Sequence, residues 1–198
     1  MRINRFSRRL LPTLFVTLAL GTAPVAAVTS TSSAATSTTT TTSTCSAPWG
    51  SLAKQRTSSS TKQIVSVRSG RHACFDRLVV DINDAGLGTP GFDVRYVARV
   101  AQDGSGATVP LRGDARLRLI VRAPAYAENG STYEAANWNE LVNVSGYRTF
   151  RQVAWAGTFE GQTTIGIGVR ARLPMRAFVL RGAGGTGHRV IVDVAHRW

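Results

Sequence analysis

A chain of 198 residues has room for one domain and a tail, which excludes a multidomain assembly. Its formal charge of +13, from 24 Lys and Arg against 11 Asp and Glu, suits a polyanionic partner: nucleic acid, acidic lipid or an anionic wall polymer. Two cysteines and three histidines are too few for a zinc scaffold.

The N-terminus reads as an export signal over residues 1–27. Arg2, Arg5, Arg8 and Arg9 form a basic start, an apolar run covers residues 10–20, and small residues follow at Val25-Ala26-Ala27. Without those four arginines the chain still carries +9. Pro12, Pro24 and the short run argue against a transmembrane helix, which needs about 20 apolar residues. Ser7-Arg8-Arg9-Leu10-Leu11 is similar to a twin-arginine signal, although a plain basic start reads the same way. No second apolar span follows. The expected product is a soluble monomer, secreted or cell-wall associated, with no integral membrane span.

Residues 28–61 read as a Ser/Thr-rich disordered linker with an N-terminal extension of the domain, and residues 62–198 as the domain itself. The stretch 28–44 is almost wholly Ser, Thr and Ala and has nothing to bury. Order is expected from Cys45, with Trp49 packed over the domain edge and a second flexible link at residues 57–61. In an exported chain, Cys45 and Cys74 favour a disulfide. A free catalytic Cys74 beside His72 is the sharper alternative.

Residues 64–67 suggest a short edge strand, and residues 69–72 a turn into a central strand at 75–82. Residues 83–91 are turn-rich. Residues 92–97 alternate apolar and polar, as do residues 116–122, where Leu117, Leu119 and Val121 should face inward. Asp103-Gly104-Ser105-Gly106 signals a hairpin. Ser131-Thr132-Tyr133-Glu134 fits a capping box, so residues 123–141 are expected to hold one or two helical turns at most. An irregular strand is expected within residues 142–150. Two more strands, 153–159 and 164–169, flank the turn Glu160-Gly161-Gln162. Gly166 and Gly168 leave one face bare, which suggests a bulge or a close approach, possible for a ligand.

The last stretch holds two apolar ribbons, 176–180 and 188–196, around the Gly-rich residues 181–187. Arg189-Val190-Ile191-Val192-Asp193-Val194 repeats Arg77-Leu78-Val79-Val80-Asp81-Ile82 in residue class at every position. Such unbroken runs suggest strands buried on both faces. The fold expected is all-β, a compact β-sandwich of short, mostly antiparallel strands with at most one short helix.

These residues resemble the AMIN-like domain of exported bacterial proteins. The likeness rests on Phe75-Asp76-Arg77-Leu78-Val79-Val80-Asp81, Gly104-Ser105-Gly106 with Pro110-Leu111, Phe159-Glu160-Gly161-Gln162-Thr163-Thr164 with Gly166-Ile167-Gly168, Phe178-Val179-Leu180, and Arg189-Val190-Ile191-Val192-Asp193-Val194. The resemblance implies a compact β-sandwich. It also implies the role of the related AMIN domain of cell-wall amidases, a module that targets peptidoglycan. No amidase domain follows before Trp198.

Catalysis has little to stand on. His72, His188 and His196 form no His-Glu-x-x-His pattern, and there is no Gly-x-Ser-x-Gly elbow. Asp81, Asp193 and Glu160 are the carboxylates a glycoside hydrolase would need, but Asp81 and Asp193 read better as partners of nearby arginines. Gly182-Ala183-Gly184-Gly185-Thr186-Gly187 matches a dinucleotide fingerprint only formally, because a strand rather than a helix follows. No cofactor is expected. The arginines say more. Arg148, Arg151, Arg170, Arg172 and Arg176 recur near Tyr147, Phe150 and Trp155. Guanidinium with aromatic neighbours suits carboxylates, phosphates or sugars; a solvated basic face explains the same residues. The candidate ligand-binding set is therefore Tyr147, Arg148, Arg151, Trp155, Arg170, Arg172 and Arg176. The expectation is a non-catalytic module for a cell-wall polymer, either peptidoglycan or an anionic glycopolymer. The alternatives are a partner for another exported protein and, further off, a small hydrolase. Export makes nucleic acid a poor candidate.

Overall fold

The computed structural model describes residues 45–198. The expected leader and the Ser/Thr-rich stretch 28–44 lie outside the described residues. In chain order the strands are β1 (Lys54–Arg56), β2 (Ile64–Arg71), β3 (Phe75–Ile82), β4 (Gly91–Val97), β5 (Val100–Ala101), β6 (Thr108–Val109), β7 (Ala115–Arg122), β8 (Tyr126–Ala127), β9 (Gly130–Ser131), β10 (Phe150–Phe159), β11 (Gln162–Val169), β12 (Met175–Arg181) and β13 (His188–Ala195). One sheet has the order β1-β4-β7-β11-β10, and the other β12-β13-β3-β2; every pairing in them is antiparallel. One apolar cluster fills the space between them, which makes the sandwich.

The alternating pattern of β7 explains its place. Leu117, Leu119 and Val121 are fully buried in that core. The twin ribbons are neighbours: β3 pairs with β13 in a register that sets Arg77 opposite Asp193 and Asp81 opposite Arg189. Leu78, Val80 and Ile82 of one, with Val190, Val192 and Val194 of the other, face the core. Val79 and Ile191 face outward yet stay buried. Long side chains flank them in register, Arg68 beside Val79 and Phe178 beside Ile191.

Several expectations change. Residues ahead of Lys62 are built into the fold. Lys54–Arg56 is an edge strand on β4. The expected flexible link is held, since Ser60 is buried, bridges Gly88 and donates its N–H to the Arg122 carbonyl at 3.1 Å. β2 runs on to Arg71, so the turn into β3 is shorter than the sequence suggests. The capping box makes no helix. The Ser131 hydroxyl donates to the Tyr133 carbonyl at 2.7 Å, and the small hairpin β8–β9 occupies the segment. Residues 142–149 form turns, with strand resuming at Phe150.

Gly166 and Gly168 are bare for an internal reason. A Cβ on Gly168 would lie 2.0 Å from the Arg112 carbonyl oxygen, and one on Gly166 would lie 2.9 Å from Leu111. The hairpin β5–β6 and the residues after it cover this face, where Val100, Val109 and Leu111 pack on Ala154 and Ala156. The chain's own backbone, not a ligand, makes the close approach.

Candidate functional site

Antiparallel strands bring loops together at two ends. At the first end β2 and β4 finish, β3, β7, β10 and β12 begin, and β11 and β13 finish. It is closed by Cys45–Cys74, whose Cα atoms are 5.2 Å apart. Trp49 meets Phe75 edge-on at 5.7 Å, as expected of a residue packed over the domain edge.

Beneath this end sits Asp76, an inward-facing residue of β3 that is fully buried. Its Oδ2 accepts the backbone N–H groups of Thr149 at 2.6 Å and Phe150 at 3.0 Å. Its Oδ1 lies 3.1 Å from His196 Nε2. The other ring nitrogen of His196 faces the Ala73 carbonyl at 3.2 Å. Thr149 Oγ1 donates to the Ala195 carbonyl at 3.1 Å, and the Arg170 N–H donates to the Thr149 carbonyl at 2.9 Å. One carboxylate therefore ties β3, the start of β10 and the chain after β13 into a single knot.

The seven candidate residues do not share one surface. Tyr147 is 2.9 Å from Ser69 Oγ and stacks on Phe150. Arg151 donates to the carbonyls of Tyr147 and Phe150 at 3.2 and 3.0 Å. Both line a hollow of about 430 Å³ with Arg112 and Glu140, which are ion-paired. Trp155 belongs to an aromatic cluster with Trp138 at 5.2 Å and Tyr133 at 5.5 Å. Its backbone N–H donates to the Trp138 carbonyl, and Leu141 donates its own to the Val153 carbonyl, so residues 138–141 cover the edge of β10. Burial pushes the Tyr133 hydroxyl pKa up.

Arg172 donates to Ser51 Oγ at 3.1 Å and lies over the Tyr96 ring. The Tyr96 hydroxyl donates to the Leu173 carbonyl at 2.8 Å and accepts the Leu173 N–H at 2.9 Å; burial raises its pKa. Arg176 binds Asp193 at 2.8 Å and lies 4.3 Å from the Trp49 ring centre.

Arg148 and Arg170 do come together. With Arg197 and His196 they line a hollow of about 630 Å³ beside Cys45 and Ala73. Among the described residues no carboxylate lines it. Arg170 spends one nitrogen on the His196 carbonyl. Among the described residues the guanidiniums of Arg148 and Arg197 have no hydrogen-bond or ion-pair partner. Sequence reasoning missed Arg197, which follows the last strand and lies far in the chain from Tyr147, Phe150 and Trp155, the aromatics that flagged the others. It also missed Asp76, whose inward direction needed the β3 register.

The carboxylates proposed for hydrolysis lie apart. Asp81 accepts from Arg68 at 2.5 and 2.8 Å. Asp193 is fully buried and accepts from Arg77 at 2.6 and 2.8 Å as well as from Arg176. These bonds hold Arg68 and Arg77 above their ordinary pKa. Glu160 occupies the β10–β11 turn with φ of 47°, at the opposite end from His72, which stacks on Phe75 at 4.4 Å. Among the described residues no three His, Cys, Asp or Glu side chains gather to hold a metal, and no helix is long and apolar enough to cross a membrane.

The second end has another character. A hollow of about 860 Å³ is lined there by Thr61, Gln63, Pro124, Tyr126 and Glu128, among others. Lys62 pairs with Asp84 at 2.5 Å and holds that carboxyl below its usual range.

A family model described as AMIN-like domain matches residues 62–196, most of the described fold. No curated protein matches the chain.

Proposed function

Because the chain belongs to the AMIN-like domain family, we propose that it is a non-catalytic module that associates with the bacterial cell envelope. Its partner is peptidoglycan or an anionic glycopolymer held to it. The protein is exported by its N-terminal signal and acts as a monomer, secreted or bound to the wall. One observation carries the reading: the disulfide end of the sandwich gathers Arg148, Arg170 and Arg197 around a hollow that no carboxylate among the described residues lines. Cations left without an anionic partner on a concave surface attract polyanions.

The test is sedimentation with purified cell-wall sacculi. The full mature protein should pellet at low salt and be released as ionic strength rises, because exposed charges are screened beyond a Debye length of roughly 8–10 Å. Protein that stays in the supernatant at low salt overturns the reading.

A further inference from the structure

Of the arginines near the disulfide end, most are already engaged. Arg112 is paired with Glu140 and also donates to the Arg151 carbonyl at 2.9 Å. Arg151 donates to carbonyls of its own loop. Arg172 is bound to Ser51, and Arg176 to Asp193. Each such donor is spent on the fold. Arg148, Arg197 and most of the donors of Arg170 are left open, and these three line one hollow.

Their convergence has a cause below the surface. Arg148 precedes Thr149, whose N–H is held by Asp76. Arg170 donates its N–H to the Thr149 carbonyl. Arg197 follows His196, which is 3.1 Å from the same carboxylate. The Asp76 knot thus fixes the backbone at, or one residue from, each of the three cations. The disulfide places Cys45 on the rim of the same hollow. Backbone fixed in advance lowers the ordering cost that binding would otherwise carry.

We infer that this hollow is a binding site for an oxyanion repeated along a wall polymer, held by charge-assisted hydrogen bonds from Arg148, Arg170 and Arg197. The inference rests on the envelope reading for its source of ligand and adds the residues and the chemical group. A guanidinium recognises a phosphodiester and a carboxylate by the same fork of N–H donors. The two sources are therefore separated by experiment.

The mature protein is titrated with poly(glycerol phosphate) and, separately, with polygalacturonate, by calorimetry at low salt. Two triple variants are compared. R148Q/R170Q/R197Q empties the hollow, and K54Q/R56Q/R181Q removes the same charge elsewhere. The hollow variant should bind the preferred polymer at least about tenfold more weakly. The control should change by less than about threefold. The polymer that binds identifies the oxyanion.

R148Q/R197Q keeps the Arg170 bond to His196 and touches only exposed side chains, so it tests the site should the triple variant unfold. Equal weakening of hollow and control variants, or binding of neither polymer, overturns the inference. If the wild type and the hollow variant pellet equally with sacculi, the envelope reading stands and the hollow fails. If polymer binding depends on the hollow but sacculi do not pellet the protein, the hollow stands and the envelope reading fails.

Discussion

The core-facing row of β13 begins at His188, runs through Val190, Val192 and Val194, and continues to His196. The same residue type thus closes the row at both ends of the sandwich, and the two ends treat it oppositely. His196 has an acceptor at each ring nitrogen, the Asp76 carboxylate and the Ala73 carbonyl. His188 is buried, and among the described residues its Nδ1 has no hydrogen-bond partner. Lys62 and Arg181 lie near it, and burial first, then these two cations, pushes its pKa down. The disulfide end uses a buried anion to order the loops that carry surface cations. The other end pairs the buried Lys62 with the exposed Asp84 and leaves a desolvated ring nearby. The difference lies in the neighbours that the register supplies, since the residue is the same.

The largest effect should come from breaking the better-satisfied end. Asp76→Ala strands the N–H groups of Thr149 and Phe150 and removes the anion beside His196. Removing one partner of a buried charged network costs about 3–5 kcal/mol. Urea unfolding should show a loss of that order, and a loss below about 1 kcal/mol would mean that Asp76 does not hold this end. A somewhat smaller loss is expected from C45A/C74A. The bridge spans 29 positions, and the chain-entropy model gives about 3–4 kcal/mol for a loop of that size. Because the bridge borders the arginine hollow, the same variant should also weaken polymer binding in the titration proposed for the hollow. Undiminished binding would show that Asp76 alone positions the cations.

The sandwich was legible because its signals are local or repeat. The Arg-apolar-Asp ribbons announce themselves in sequence as buried strands, and the structure sets them side by side, antiparallel. Leu117, Leu119 and Val121 alternate cleanly and face the core. Local signals misled where a distant segment intervened. Gly168 looked open to a ligand because nothing near it in sequence reveals the Arg112 carbonyl lying over it. Ser131 looked like a helix cap because the pattern Ser-x-x-Glu does not reveal that its hydroxyl turns to the Tyr133 carbonyl. The arginines show the limit most plainly. Arg148 and Arg151 are three residues apart beside the same aromatics. One is left open to the hollow, and the other is spent on the carbonyls of its own loop. Composition marks both, and only the path of residues 145–151 separates them.

The smallest effect belongs to His188 and tests the other half of the comparison. Its folded pKa lies below the ordinary value of about 6.5 that the unfolded chain presents. In the window between the two, the unfolded chain binds more protons than the folded one, so stability rises with pH there. The contribution is complete above about pH 6.5 and is lost as pH falls from that value toward the lowered folded one. The groups that set the shift are Lys62, Arg181 and Arg56, which lower it, and Asp84, which opposes them. Urea midpoints measured across this window should therefore fall with acidity in the wild type. In His188→Gln the decline should be shallower, whatever the variant's absolute stability. An unchanged slope would place the titrating group elsewhere. Asp84→Asn sharpens the result, because removing the carboxylate that favours the charged ring should widen the window on its acid side.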